Sequence, residues 1–341
     1  MSRALRVTRA SPGLTMQDAG RSGYLTYGLS RGGAADPIAL AEGAALLGQD
    51  RGFAALEMAG SGGVFEATDD IRIALTGARM RATVDGEGVA WNASHLLRAG
   101  SVLTVGAVES GIYGYLSVGG GLATEEILGS RSAHLSAGIG GPVEAGAVLP
   151  VGLDAGSAVN QKLPPDPRFG GGTVRVVPSL QTPLFDADEI ARFEATVFRR
   201  DVRSNRMGAR LEFEGDGFAA GSGLTILSEV IVPGDIQITG DGTPFVLMSE
   251  CQTVGGYPRI GSILPSDLPR VAQAPVGAGL RFTFVTLEEA VALEARATKA
   301  LRGLGRSITP LVRDPHKIRD LLSYQLISGV TAGTDEAGEA L

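Results

Sequence analysis

Residues Gln237 to Gln273 read QITGDGTPFVLMSECQTVGGYPRIGSILPSDLPRVAQ, and the reading of this stretch decides the fold class. It opens on a turn signal, Thr239-Gly240-Asp241-Gly242, followed by Thr243-Pro244 and a run of strand-forming residues from Phe245 to Met248. The pattern is a strand leaving a tight turn. Next, Gln252-Thr253-Val254-Gly255-Gly256-Tyr257-Pro258-Arg259 sets two glycines beside an aromatic, a proline and a cation. Backbone without Cβ lets a ligand approach closely, and Tyr257 and Arg259 offer directional contacts. The same residues also make an ordinary hairpin corner, so residue types alone leave both readings open.

Strands and turns extend outward on both sides. IRIAL, MRATV, a turn at Asp85-Gly86, VLTVG and IYGYLSV follow one another between Ile71 and Val118, the spacing of a barrel or sandwich. Runs near Leu5, Val174, Leu224 to Leu227, Ile231 and Leu280 continue the pattern. With 50 glycines and 17 prolines in 341 residues and aromatics at 5%, the chain is predicted to be mainly β with a few helices. Those helices are expected after Asp36-Pro37 and ending at Gly48, briefly around Glu125 to Leu128, after Asp188, from a Thr286/Glu289 capping box to Gly303, and from Asp314 to Gly329. KLPPDPRFGGG, residues 162–172, holds three prolines and three glycines in eleven positions and is expected to link residues 1–161 to residues 173–330. The small acidic tail, 331–341, is expected to be disordered.

Composition narrows function. A net charge of −7 and the lack of a basic run argue against nucleic-acid binding. One cysteine, Cys251, excludes an internal disulfide framework and a cysteine-cluster zinc site, and fits a reducing cytoplasm. His95, His134 and His316 lie far apart without metal-ligand spacing, so no metal is predicted. There is no GxxxxGK[ST] loop, no GxGxxG after a strand and no Ala-Met-Lys-Met biotin box. The segment His134-Leu135-Ser136-Ala137-Gly138 fails the GxSxG pattern at its first position. No apolar stretch approaches the roughly 18 residues of a membrane span, and the expected location is the cytoplasm.

The polar candidates fall in separate blocks. Leu14 to Tyr24 combines Gln17, Asp18, Arg21 and Tyr24 between glycines, either a polar turn with an Asp18–Arg21 ion pair or part of a site. Glu57 is a lone carboxylate among apolar residues; if buried it needs a cation such as Arg21, and otherwise it reads as a surface residue of an edge strand. Gly129-Ser130-Arg131-Ser132 suits either an anion or the satisfaction of a loop backbone. Arg203 to Leu211 is a polar run around Arg206.

Taken together these blocks resemble the biotin-dependent carboxyltransferase family, also called allophanate hydrolase subunit 2, which includes the C subunit of 5-oxoprolinase and the second half of the urea carboxylase carboxyltransferase domain. The stretch from Gln237 to Gln273 is similar to that family's IQVPPDGQPIVL, QTTGGYPKI and DLP..AQ boxes. Gln17, Asp18, Gly20, Arg21, Gly23 and Tyr24 match its TTVQDxGRxGY opening, Gly32 to Asp36 its GGAMD segment, and Glu57 its LE motif. Departures are Ala133 after the GSRS run, Asn205 and Ala209 in the SDRMGYRL box, and Arg259 where Lys is usual.

The resemblance implies two cyclophilin-like β-barrel domains. It also implies one component of an ATP-dependent 5-oxoprolinase, inactive alone, that converts 5-oxo-L-proline to L-glutamate. Its implied partners are an allophanate hydrolase subunit 1 type protein, which is the B subunit of 5-oxoprolinase, and a protein of the 5-oxoprolinase A type. The alternative is carboxyl transfer from carboxybiotin, delivered by a partner, to a urea-like or amide nitrogen; ATP, in either case, is expected to be bound by the complex. A third class is a non-enzymatic regulator of the kinase-inhibitor antagonist type. For a small amide substrate, Asp18, Glu57 and Arg259 are the catalytic candidates, and Gln17, Arg21, Tyr24, Arg206, Gln252, Thr253 and Tyr257 the binding candidates. The blocks Gln17 to Tyr24 and Gln252 to Arg259 are expected to meet at one cleft.

Overall fold

Two long strands, Ile71–Val84 and Val102–Val118, carry the first half of the chain and pair antiparallel along most of their length. The sequence predicts each of them as two short strands. The structure instead runs straight through, because Gly77 (φ 73°) and Gly111 (φ 83°) take left-handed conformations that absorb the register shifts around Gly77 to Ala82 without reversing the chain. The computed structural model describes residues 3–221 and 226–312, so the helix expected from Asp314, the tail 331–341 and residues 224–225 of the strand expected at Leu224 to Leu227 lie outside the described residues, while Ile226 and Leu227 are not in a strand.

Around these two strands an 11-stranded sheet forms, running Thr309–Pro310, Gln161–Lys162, Ala93–Leu97, Ile71–Val84, Val102–Val118, Gly63–Ala67, Ala4–Ala10 and Val148–Pro150. Ala55–Ala59 branches from Val102–Val118 and pairs in turn with Leu14–Gln17. Leu5, Phe65, Ile73 and Leu116 sit in its core, each fully buried. The last described strand returns from beyond the second half to join this sheet.

Helix α1 (Pro37–Leu47) starts where expected, since the Asp36 side chain accepts from the Ile38 and Ala39 amides at 3.1 and 3.2 Å and Gly48 ends it in a left-handed conformation. The short helix expected near Glu125 is absent. Leu128 (φ 55°) and Gly129 (φ 75°) are both left-handed there, which makes a tight turn closed by Ile127 and Ser130.

The second half closes a barrel through Gly172–Val177, Arg259–Ile263, Asp235–Ile238, Pro244–Leu247, Gly208–Glu212, Phe198–Arg200 and Gly279–Phe284, which pairs parallel with the first. Phe193, Phe198, Phe218 and Phe282 fill it, so the few aromatics are concentrated where burial rewards them most. Phe193 comes from helix α2 (Ala187–Ala195), whose N-cap is Asp186 rather than Asp188. Helix α3 (Leu268–Gln273) ends the decisive stretch, and helix α4 (Leu287–Arg302) carries the Thr286/Glu289 capping box. Among the described residues no helix is long and apolar enough to cross a membrane.

The sheets change over between Lys162 and Gly172, and this connection is pinned. Arg168 is buried there, with Nε donating to Asp36 at 2.8 Å and Nη1 and Nη2 to Glu42 at 3.0 and 2.8 Å. Gln273 donates to the same Asp36 oxygen at 2.8 Å and accepts from the Ile112 and Tyr113 amides. Replacing Arg168 with Met would strand two buried carboxylates, and we expect a loss of about 3–5 kcal/mol in urea unfolding. A loss below about 1 kcal/mol, typical of exposed pairs, would show that this cluster does not hold the halves together.

Candidate active site between the two sheets

Lateral alignment builds the first wall of the site. Thr15, Glu57 and Tyr115 occupy facing positions on three adjacent strands, so their side chains form one row across the sheet. Glu57 is buried, and its Oε2 accepts from the Tyr115 hydroxyl at 2.6 Å and the Ala35 amide at 2.8 Å. Burial and the Glu57 charge push the Tyr115 phenol well above its ordinary pKa, so it stays a donor.

The cation that Glu57 needs is Arg206, not Arg21. Arg206 reaches over from the barrel and gives Nη1 to Glu57, Nε to Glu250 at 2.5 Å and Nη2 to the Gly33 carbonyl at 2.6 Å. Burial opposes the charge, but Glu57 and Glu250 outweigh it and hold the guanidinium firmly protonated. Both oxygens of Glu57 are committed in this arrangement, so the carboxylate orients Arg206.

Asp18 lies in a second cradle. Its oxygens accept from the hydroxyls of Ser130 and Ser132 at 2.6 and 2.5 Å and from the amides of Gly20 and Arg131 at 2.8 and 2.7 Å. Burial alone would raise its pKa, yet these hydrogen bonds overcome it and the value falls below the ordinary carboxylate range. Arg21 makes no ion pair with it. Its Nη2 donates to the Ser132 carbonyl at 2.5 Å, Nη1 is buried without a hydrogen-bond partner, and burial lowers its pKa. Gln17 is fully buried, donating to Thr15 and to the Ala133 carbonyl while its Oε1 has no partner.

Two residues that the sequence did not single out as site residues complete the centre. His134 is buried with Nε2 at 2.9 Å from the Ser30 hydroxyl and Nδ1 at 3.2 Å from Ser136 and 4.0 Å from Glu250. Burial lowers its pKa against the pull of Glu250, which favours the neutral ring. The signals were present, since His134 follows the GSRS run and Glu250 precedes Cys251-Gln252, but neither has a spacing that announces a role. Burial pushes the Cys251 thiol up to about 12.

Among the described residues no hydrogen bond or ion pair joins the block Gln17 to Tyr24 to the block Gln252 to Arg259. The contacts across this joint lie outside both: the Gly32 amide donates to the Ser249 carbonyl at 3.1 Å, and Glu250 receives the Ser136 amide at 3.1 Å. The second block points elsewhere. Arg259 binds Glu229 at 2.8 Å, Asp235 at 3.2 Å and Gln181 at 3.2 Å, and among the described residues it shares no partner with the Glu57 and Arg206 group. Thr253 is buried with its carbonyl on the Ile231 amide, Gln252 is exposed, Tyr257 is 42% exposed, and Tyr24 is half-buried with its ring tilted against Tyr27.

Arg206 and Tyr113 open onto a cavity of about 560 Å³ between the sheet and the barrel, within the usual size of small-molecule sites. Residues 27–284 match the family model described as carboxyltransferase domain, subdomain A and B. The chain is 34% identical over 297 residues to the C subunit of 5-oxoprolinase from Escherichia coli (strain K12), covering 84% of this chain and 93% of that one. A solved structure, TTHA0988, is similar at 30% identity with a TM-score of 0.75; the match covers 83% of this chain and 55% of that one. The Kluyveromyces lactis urea amidolyase shares the fold, at 23% identity and TM-score 0.80, over 92% of this chain and 21% of its own length.

The Asp18 cradle makes a pH-dependent prediction. Asp18→Asn keeps the shape but faces a donor with a donor, and should cost about 2 kcal/mol near pH 7. Because the folded pKa lies below the unfolded one, this stability is present above the unfolded value and is lost as pH falls through the folded value. Urea unfolding of both proteins should therefore show a gap near neutrality that closes in acid. A gap that stays constant to about pH 2.5 would contradict a depressed carboxyl.

Proposed function

The chain belongs to the carboxyltransferase subdomain A and B family, and on that premise we propose that it is the C component of an ATP-dependent 5-oxoprolinase. It would hydrolyse 5-oxo-L-proline to L-glutamate together with partners of the 5-oxoprolinase B and A types. The observation that carries this reading is likeness to the Escherichia coli protein over nearly its whole length, with the buried Glu57, Arg206 and Glu250 array set beside a cavity.

Opening a lactam places developing negative charge on the carbonyl oxygen, which pre-oriented donors stabilise best. Arg206 suits that task. A guanidinium has five N–H bonds, and only three of Arg206's are taken by Glu57, Glu250 and Gly33. The other two have no partner among the described residues, and the side chain lines the cavity. ATP would be bound by the assembled complex and would supply the driving force for opening the ring.

Purified components test this. ATP-dependent release of glutamate is expected only when all three chains are present, and Arg206→Lys in the complex should lower kcat by at least about tenfold, because an ammonium cannot reproduce the oriented fork. Turnover by this chain alone would refute the need for partners. A complete complex that makes no glutamate but carboxylates a urea-like amide from carboxybiotin would move the assignment to carboxyl transfer.

A further inference from the structure

Arg200 ends the barrel strand Phe198–Arg200, whose alternation turns Phe198 and Arg200 inward and Arg199 to solvent. The inward guanidinium has no carboxylate to meet. Arg200 is 5% exposed, its Nε is buried without a hydrogen-bond partner, and among the described residues no ion pair or hydrogen bond involves its side chain. Burial accordingly lowers its pKa, with only the Tyr113 phenol acting in the other direction. Every other consideration of stability favours an apolar residue here, since a buried unpaired cation is among the costliest groups a fold can carry. Only Nε is buried without a partner; the terminal nitrogens of the guanidinium are accessible, and the space they reach is the cavity that Arg200 lines.

Arg200 lines the cavity of about 560 Å³ that Arg206 also lines. In that cavity Arg206 is already neutralised by two carboxylates, so Arg200 supplies the uncompensated charge. The Tyr113 hydroxyl beside it has no hydrogen-bond partner among the described residues, and burial raises its pKa, which keeps it a donor. Ile112, Val108, Pro275 and Val276 give the same cavity apolar lining. We propose that this cavity is a binding subsite for a small organic carboxylate with an apolar body, its anionic end held by Arg200 and Tyr113. The choice of 5-oxo-L-proline as that carboxylate rests on the 5-oxoprolinase reading; the anion subsite itself does not.

In the assembled complex, Arg200→Met should raise KM for 5-oxo-L-proline at least about tenfold with kcat within about twofold, as expected for a contact made equally in ground and transition states. Arg200→Lys should fall between the two. The Met variant should also unfold at a temperature no lower than the original, because it removes a buried unpaired charge. An unchanged KM, or a lower unfolding temperature with kcat and KM impaired together, would overturn the subsite. If the complex shows no 5-oxoprolinase activity, that functional reading fails by itself, and calorimetric titration of the full chain with cyclopentanecarboxylate and its neutral amide decides the subsite. Binding of the acid alone, abolished in Arg200→Met, sustains it; absence of binding, or equal binding of the amide, overturns it.

Discussion

Arg206 projects from the barrel to a carboxylate 149 positions earlier in the chain, and the joint between the halves is arranged around that contact. A guanidinium at this depth is tolerable only if its acceptors are already in place, because desolvation costs several kcal/mol per ion before any pairing is recovered. Glu57 must therefore arrive on its strand, Gly33 on its loop and Glu250 on the barrel, all in one register. The second cluster imposes the same condition, with Arg168 meeting Asp36 across 132 positions and Gln273 reaching the same carboxylate across 237. Asp36 joins the two clusters, since its amide donates to the Tyr115 hydroxyl that in turn donates to Glu57.

Close backbone approach makes this geometry reachable. Gly33 has φ 84°, and a Cβ there would lie 2.8 Å from the Gly20 nitrogen. Without it the two loops stack, Arg21 and Ala34 amides bond across them at 2.8 and 3.0 Å, and the Gly33 carbonyl is presented to Arg206 at 2.6 Å. The paired glycines before Ala34-Ala35-Asp36 are thus a condition for the ion cluster and not only a helix lead-in.

Against this background four arginines, Arg168, Arg206, Arg21 and Arg200, divide sharply, while the buried Arg72 pairs with Asp154. Arg168 and Arg206 are each held by two buried carboxylates, and their protonated forms are favoured. Arg21 and Arg200 are held by none, and burial lowers both. Arg21 at least donates to the Ser132 carbonyl, whereas Arg200 faces open cavity. Local rules are broken most often where a site needs them broken, and strongly perturbed groups beside a cavity are where binding chemistry concentrates.

The sequence by itself determined the family, the β-rich class and the elements whose signals are local: the Asp36 cap, the Thr286/Glu289 capping box and the tight turn before Phe245 all depend on neighbours within a few residues. It also marked Glu57 as a carboxylate out of place among apolar residues, and Asp18 and Arg206 as members of polar blocks. Which cation meets which carboxylate was beyond it, because ion-pair choice is a matter of distance in three dimensions. Arg21 is a cation the sequence offers to Glu57, yet Glu57 pairs with Arg206 and Arg21 turns to backbone carbonyls. For the same reason Arg259, nine positions after Glu250, ends in different surroundings, paired with Glu229 and Asp235. His134 and Arg200 carry no motif, and only the tertiary structure, by burying one beside Glu250 and leaving the other unpaired in a cavity, made them candidates.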